Sequence, residues 1–211
     1  MVEATVNQRL AALLLVCCLM LGAPLASAKP LSPIDELRTG FTVGGEPVPP
    51  EIFRDMGDGD LADSGSVVVT IDVKAATGSN LYADPIKRSG AWVVQTRQDP
   101  NDRSLTQEQA YRFIGVTANK LLVAVTSYSG GGSGVFYSLH ILTAERGGGF
   151  DSDGKRYERL NVTTIRSVPL GDRWAGEVKI DGNTIAVATT GGVSAGRGRT
   201  PSTMAIKAER P

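Results

Sequence analysis

Cysteine and histidine are almost missing from this chain of 211 residues. The two cysteines, Cys17 and Cys18, both lie in the first 28 residues, and His140 is the single histidine. Beyond residue 28 the chain therefore has no thiol nucleophile, no disulfide, no cysteine-ligated zinc and no iron–sulfur centre. A zinc site with two or more histidines is excluded as well. Without such cross-links the fold needs a hydrophobic core, and residues 29–211 are numerous enough to build one.

Long apolar runs are also lacking, and the longest one is short. Leu10 to Leu21 is apolar for twelve residues before Gly22 and Pro24, whereas a membrane-spanning helix needs about 20 residues. The small-residue triplet that ends at Ala28 matches the A-x-A pattern of a signal-peptide cleavage site. We therefore predict a signal peptide over residues 1–28 that is cleaved after Ala28. This prediction implies a periplasmic or secreted bacterial protein with no stable membrane span after cleavage, and an uncleaved anchor is the weaker alternative.

The chain has no net charge, but its charges are unevenly distributed. Neutrality gives no reason to expect a nucleic-acid partner. Residues 29–65 hold eight acids and three bases, and the remainder of the predicted mature chain is basic. This acidic stretch is rich in proline and glycine and shows no period of two or 3.6. We expect an extended acidic arm over residues 29–65, with at most one helical turn near residues 32–37, that either lies along the basic body or is a mobile tail.

Alternation of apolar and polar residues dominates the chain after Gly65 and predicts strands with one buried face. The candidate strands cover residues 67–74, 91–97, 111–116, 121–128, 135–142, 157–168, 174–181, 185–187 and 203–208. The alternation slips near Thr163 and Thr164, where a β-bulge would restore it. The sequence Asp181, Gly182, Asn183 is a strong hairpin signal. Residues 66–211 are thus predicted to form an all-β domain, an antiparallel β-sandwich or barrel of about eight to nine strands around a single interior.

Two acidic clusters could bind Ca²⁺. Asp151, Asp153 and Glu158 surround an Asp-Ser-Asp-Gly sequence, and Asp58, Asp60 and Asp63 form a second cluster. Alternate carboxylates before a glycine can direct oxygens at Ca²⁺, which prefers six to eight such ligands. Neither cluster has the full spacing of an EF-hand loop, and tight turns select the same residues. Ca²⁺ is therefore a candidate cofactor, and a calcium-stabilised envelope protein is one hypothesis.

A hydrolase is a second hypothesis. His140 has the only side chain whose ordinary pKa lies near neutrality, so it is the simplest general acid or base. Ser138 lies two residues away on the same strand face, beyond direct hydrogen-bond reach, so a serine or threonine on a neighbouring strand would have to be the nucleophile. A pair of carboxylates for glycoside cleavage is the other version, with Glu145, Glu158 and Glu177 as candidates.

Aromatic side chains near strand ends favour a third hypothesis, a non-catalytic binding or structural-interaction module. Tyr128, Tyr137, His140 and Trp174 are the candidate ligand-binding residues, and Trp92 and Phe136 are further aromatics on mixed faces. Such rings can stack on a sugar or hold a peptide, although tryptophans are also common core residues. The glycine-rich stretch from Tyr128 to Gly134 precedes a strand, which favours a hairpin connection, with a ligand-covering flap as the alternative. The expected partner is a protein or glycan of the cell envelope.

Overall fold

The computed structural model describes residues 31–57, 69–78, 82, 84–99, 101–189 and 202–210, together with the backbone of residues 193–194 and 197–198. The predicted signal peptide, its cleavage site at Ala28 and the acidic cluster Asp58, Asp60 and Asp63 lie outside these residues. No helix within the described part of the chain is long and apolar enough to cross a membrane.

Residues 31–57, called the N-terminal segment below, form two short helices and a small hairpin. In chain order they are α1 (Pro33–Leu37), β1 (Thr42–Val43), β2 (Glu46–Pro47) and α2 (Glu51–Asp55). The hydroxyl of Ser32 accepts a hydrogen bond from the backbone N–H of Asp35 and caps α1, and Pro33 occupies the first turn, where it costs no hydrogen bond. The one helical turn predicted near residues 32–37 is therefore α1.

The rest of the N-terminal segment differs from the predicted extended arm. Leu37, Phe41, Val48, Ile52 and Phe53 are all fully buried and belong to a hydrophobic cluster shared with the following strands. These apolar residues stand between prolines and glycines, so they show no regular period in the sequence. Their partner surface is supplied by a distant sheet, which local pattern cannot reveal. The segment is part of the core.

The central element is a seven-stranded antiparallel sheet in the order β3-β9-β8-β7-β6-β5-β4. Its strands are β3 (Thr70–Asp72), β4 (Ile86–Ser89), β5 (Trp92–Gln98), β6 (Thr106–Val116), β7 (Leu122–Ser129), β8 (Phe136–Phe150) and β9 (Arg156–Asp172). From β4 to β9 each strand pairs with the next one along the chain. The prediction of a mostly β, antiparallel fold is confirmed.

Two local departures from simple alternation have clear physical causes. The strand predicted over residues 67–74 stops at Asp72, because its carboxylate accepts hydrogen bonds from the backbone N–H groups of Lys74 and Ala75 and caps α3 (Val73–Gly78). In β9 the pairing with β8 skips Ile165, since Thr164 and Arg166 oppose consecutive residues of β8. This bulge lies next to the threonines where the sequence predicts one.

A second antiparallel sheet has three strands in the order β10-β11-β14. They are β10 (Gly176–Asp181), β11 (Thr184–Thr189) and β14 (Ser202–Lys207), and a two-stranded pair, β12 (Val193–Ser194) with β13 (Arg197–Gly198), lies between the last two in sequence. Gly182 has φ 58° in the two-residue connection between β10 and β11. This positive φ fits the first central position of a primed hairpin turn, so the predicted hairpin is confirmed.

The central sheet has two covered faces. Its inner face packs on the N-terminal segment through Val93, Tyr111, Leu122, Ala124, Leu142, Leu160 and Val162. Its outer face packs on the three-stranded sheet through Leu121, Val123, Val125, Leu139 and Ile141. Strand β7 is buried on both faces. The expectation of a single interior is thus wrong: the described residues form two cores separated by the central sheet, because residues 31–57 add a second covering layer.

Candidate functional site

The four predicted ligand-binding residues do not converge on one site. Tyr128 and His140 point to the inner face, where both are buried. Tyr137 and Trp174 belong to the hydrophobic cluster on the outer face, with Trp174 only 7% exposed. The structure therefore divides these residues into two pairs on opposite sides of the central sheet.

His140 is fully buried beneath the N-terminal segment. Its ring lies 5.1 Å from the ring of Phe53, on α2, measured between ring centres. Ser167 on β9 is directly opposite His140 in the strand register, so a neighbouring-strand serine of the required kind does exist. Ser167 is exposed, but the His140 ring lies beneath Phe53 and has no exposed surface, so a substrate would have to displace α2 to reach the imidazole.

Two of the three acidic residues predicted to hold a metal, Asp151 in the β8–β9 connection and Glu158 in β9, have structural partners. Asp151 accepts hydrogen bonds from the backbone N–H groups of Asp153 and Lys155 and closes the turn. Glu158 forms ion pairs with Arg146 and Lys74. The described residues include no group of three histidine, cysteine or acidic side chains that could hold a metal ion.

The candidate carboxylates for glycoside cleavage are also apart. Glu145 pairs with Asn161, and Glu158 pairs with Gly148, three residues further along β8. Side chains three positions apart in a strand point to opposite faces, so these two glutamates lie on different sides of the β8–β9 ladder. Glu177 belongs to the three-stranded sheet, where its carboxylate forms an ion pair with Lys179.

A buried polar cluster joins α2 to the inner face. The Glu51 side chain is 8% exposed and lies 3.4 Å from Arg54 and 3.5 Å from Arg97. The amide oxygen of Gln95 accepts a hydrogen bond from the backbone N–H of Glu51. Burial raises the pKa of Glu51 because desolvation outweighs the two guanidinium groups. The cluster thus fixes the start of α2 to β5.

Two further contacts extend this polar cluster. Tyr82 donates a hydrogen bond of 2.8 Å to the carboxylate of Asp55, at the end of α2, and burial raises the pKa of this tyrosine. The cavity that Glu51 and Tyr128 help to line has a volume of only about 10 Å³, which leaves space for about one water molecule. The cluster is therefore filled by its own side chains and serves to hold the N-terminal segment.

The glycine-rich stretch after β7 also packs on the protein. Gly131 has φ 90°, and a Cβ atom at this position would be 2.9 Å from the Cβ of Leu105. Only glycine fits this close approach without strain. In the structure the stretch is a closely packed connection from β7 to β8, as the sequence favours, and it does not cover the groove described next.

An open groove lies on the outer face, beside the area covered by the three-stranded sheet. Its volume is about 490 Å³, within the range of small-molecule sites. Strands β4 to β8 all contribute to it, and the lining residues are Lys87, Arg88, Ser89, Trp92, Val94, Thr96, Glu108, Ala110, Ser127 and Tyr137.

The groove follows from one row of paired residues across five strands. Lys87 pairs with Val94, Val94 with Ala110, Ala110 with Ser127, and Ser127 with Tyr137. Four strand spacings give this row a length of about 19 Å. The small side chains of Ala110 and Ser127 form a low floor, and the larger residues stand at its sides.

Two aromatic rings form one wall of the groove. The rings of Trp92 and Tyr137 are half-buried and meet edge to face, with centres 6.1 Å apart. The guanidinium group of Arg112 lies 5.6 Å from the centre of the Trp92 ring, a cation–π contact that fixes the ring. Tyr137 in turn contacts Trp174, whose N–H donates a hydrogen bond to the hydroxyl of Thr189. The aromatic wall is therefore held from behind and open in front.

Among the groove residues, the sequence pattern identifies Tyr137 as a candidate ligand-binding residue. It indicates Trp92 only as an aromatic on a mixed face and does not assign it to a site. It does not reveal the row from Lys87 to Ser127. Alternation does place Trp92, Val94 and Thr96 on one face, but it does not tell where the three-stranded sheet stops covering that face. The exposure of the groove depends on this boundary.

The chain shows no significant match to a protein-family model, a curated protein or a solved structure. The geometry of the groove is therefore the basis for assigning a function.

Proposed function

We propose that this protein is an exported, non-catalytic binding module whose outer-face groove holds a glycan of the bacterial cell envelope. Export is inferred from the signal-peptide pattern of residues 1–28, and both export and the identity of the ligand are to be tested. The groove is the part of the described surface on which the binding proposal depends.

The observation that carries the proposal is the open aromatic wall beside hydroxyl groups. Trp92 and Tyr137 present half-buried rings, and the apolar faces of sugar rings stack on such surfaces. Ser89 and Thr96 supply accessible hydroxyls that can both donate and accept hydrogen bonds with sugar hydroxyls. A groove about 19 Å long accommodates several consecutive sugar rings.

Binding without catalysis is favoured by the carboxylates of the groove. Glycoside cleavage uses two carboxyl groups on either side of the scissile bond. Glu108 is the single carboxylate among the lining residues. The groove therefore has the recognition surface of a glycan site with only one of the two groups that the cleavage reaction needs.

The test is a binding screen of the purified chain from residue 29 onward against neutral and acidic envelope oligosaccharides. Each ligand found is titrated by calorimetry against the wild type, Trp92→Ala and Tyr137→Ala. We expect each substitution to weaken binding by roughly tenfold, since a stacked ring contributes on the order of 1 kcal/mol. Phe136→Ala is the matched control, because this ring is 56% exposed and lies outside the groove.

Three results would overturn the proposal. The first is the absence of any oligosaccharide ligand. The second is a ligand whose affinity is unchanged in both groove variants. The third is turnover of the bound glycan into shorter products, which would show that the protein is an enzyme.

A further inference from the structure

We infer that the groove is selective for acidic glycans, in which a sugar carboxylate binds at Lys87. This inference rests on the proposed function and adds the chemical class of the ligand. It depends on the charges that line the groove and on the position of Lys87 relative to the aromatic wall.

The groove and its aromatic wall carry an excess of positive charge. On this face the side chain of Lys87 and that of Arg112, beside the aromatic wall, stand against the acid Glu108. Arg88 pairs with the inner-face residue Val93, and its side chain points away from the groove. Within the described part of the chain, neither Lys87 nor Arg112 forms an ion pair with a carboxylate. Cations in a partly enclosed groove attract an anionic ligand and orient it.

Lys87 also lies close to the aromatic wall. It pairs with Val94, which is two residues from Trp92 on the same face of β5. Diagonal neighbours of this kind are about 7–8 Å apart, a distance that a lysine side chain spans. A carboxylate that projects from a sugar ring stacked on Trp92 therefore lies within reach of the Lys87 ammonium group.

The surroundings of the Trp92 ring also favour a negatively charged ligand. Arg112 places a positive charge 5.6 Å from the ring centre. A cation is attracted by the negative face of an aromatic ring. The ring therefore attracts a second cation more weakly. The positive charge of Arg112 also attracts a ligand group of negative charge that lies near the ring.

The experiment compares each Trp92-dependent acidic oligosaccharide with its carboxyl-reduced form, which keeps the sugar backbone and loses the charge. We expect the reduced form to bind more weakly to the wild type. Lys87→Gln should weaken the acidic ligand by roughly two- to fivefold, as an exposed ion pair does, and should leave the reduced ligand unchanged. Glu108→Gln should have the opposite effect on the acidic ligand, because it removes the one negative charge of the groove.

Lys179→Gln is the matched control, since this lysine is exposed on β10 outside the groove. The preference for the acidic form should also shrink as the salt concentration is raised from about 0.05 to about 0.5 M, where charges are screened over shorter distances. Circular dichroism spectra of all variants establish that they are folded.

The outcomes separate this inference from the proposed function. If the acidic and reduced forms bind equally and Lys87→Gln changes neither, the selectivity is wrong and the glycan site remains. Acidic peptides that bind in a Trp92-dependent way, with no oligosaccharide binding, would overturn both. Loss of the acidic preference in the Lys179→Gln control to the same degree as in Lys87→Gln would also overturn the assignment to the groove.

Discussion

The two faces of the central sheet use the same strands for different purposes. On the inner face, α2 and the rest of the N-terminal segment cover the strands, and the polar residues there hold that cover in place, as Glu51 does with Arg97. On the outer face, the three-stranded sheet leaves part of the surface open, and the polar residues face solvent in the groove. A surface suited to a ligand thus arises where the covering layer ends.

Side-chain size differs between the faces at neighbouring positions. Tyr111 and Tyr128 point inward and are buried, and the residues just before them, Ala110 and Ser127, point outward to the floor of the groove, where they are 2% and 7% exposed. Large residues inside fill the space beneath the N-terminal segment, and small residues outside leave space for a ligand. The alternation of a β-strand allows both demands to be met within two consecutive residues.

The largest expected effect is on the inner face. Phe53→Ala removes a fully buried ring that contacts Phe41, Tyr111 and His140, and it should lower the free energy of unfolding by about 3–5 kcal/mol. Urea unfolding followed by fluorescence measures the change. Phe136→Ala should change it by less than about 1 kcal/mol. Equal effects of the two substitutions would mean that the N-terminal segment is not part of the core.

The second prediction compares the two tryptophans of the outer side. Trp174 is 7% exposed and its ring lies over Gly176, where a Cβ atom would be 2.6 Å from Cζ2 of the indole. Trp174→Ala should therefore cost about 3–5 kcal/mol of stability. Trp92→Ala, at the half-buried wall of the groove, should cost about 1–2 kcal/mol.

The reverse order of these two effects, measured by the same urea unfolding, would assign Trp92 to the core and remove the basis of the ligand site. Gly176→Ala perturbs the same place, since the added Cβ would be 2.0 Å from the backbone oxygen of Ala188 and 2.6 Å from Cζ2 of the Trp174 indole, so that both the strand pairing and the ring would have to shift. We expect this variant to be destabilised and its near-ultraviolet circular dichroism signal to change.

The smallest expected effect is the pH dependence due to Glu51. Because the pKa of Glu51 is raised in the folded state, the folded protein binds its proton more tightly than the unfolded chain does. The stability of the wild type relative to Glu51→Gln should therefore increase as the pH falls through the raised pKa toward the ordinary value, and should then level off. The variant also removes the carboxylate that faces Arg54 and Arg97, which adds an offset that does not depend on this titration.

Urea unfolding at a series of pH values between about 4 and 8 measures this difference. Subtracting the variant removes the opposite contributions of Asp99 and Asp102, whose pKa values are lowered by hydrogen bonds and whose stabilising effect therefore declines as the pH falls. Glu177→Gln, an exposed glutamate on β10, is the control for the substitution itself. A difference that grows with rising pH would show that the arginines, and not burial, dominate at Glu51.

Much of the fold could be predicted because strand alternation and turn chemistry are local signals. The hairpin at Gly182 and the bulge beside Thr164 are both visible in the sequence. The role of the N-terminal segment could not be predicted in this way. Its buried residues are separated by prolines and glycines, and they gain a partner only when β5 to β9 assemble, which is a long-range event.

The site was predictable only in part, for a related reason. Tyr137 and His140 are three residues apart in one strand, so the sequence alone indicates that they face opposite sides. Which side remains open depends on how far β10, β11 and β14 extend over the central sheet, and no local pattern encodes that distance. Tyr137 was therefore predictable, and the floor formed by Ala110 and Ser127 was not.

The row from Lys87 to Tyr137 runs across the strands, and its first residue belongs to β4, a four-residue edge strand whose only strand neighbour among the described residues is β5. A ligand along this row would contact both the edge strand β4 and the middle of the sheet, and it would stabilise the pairing of β4 with β5. Backbone amides of β4 should then exchange with solvent deuterium more slowly when the groove is occupied, while those of the doubly buried β7 are already slow without it. Occupancy could in this way be followed at the sheet margin without any label on the ligand.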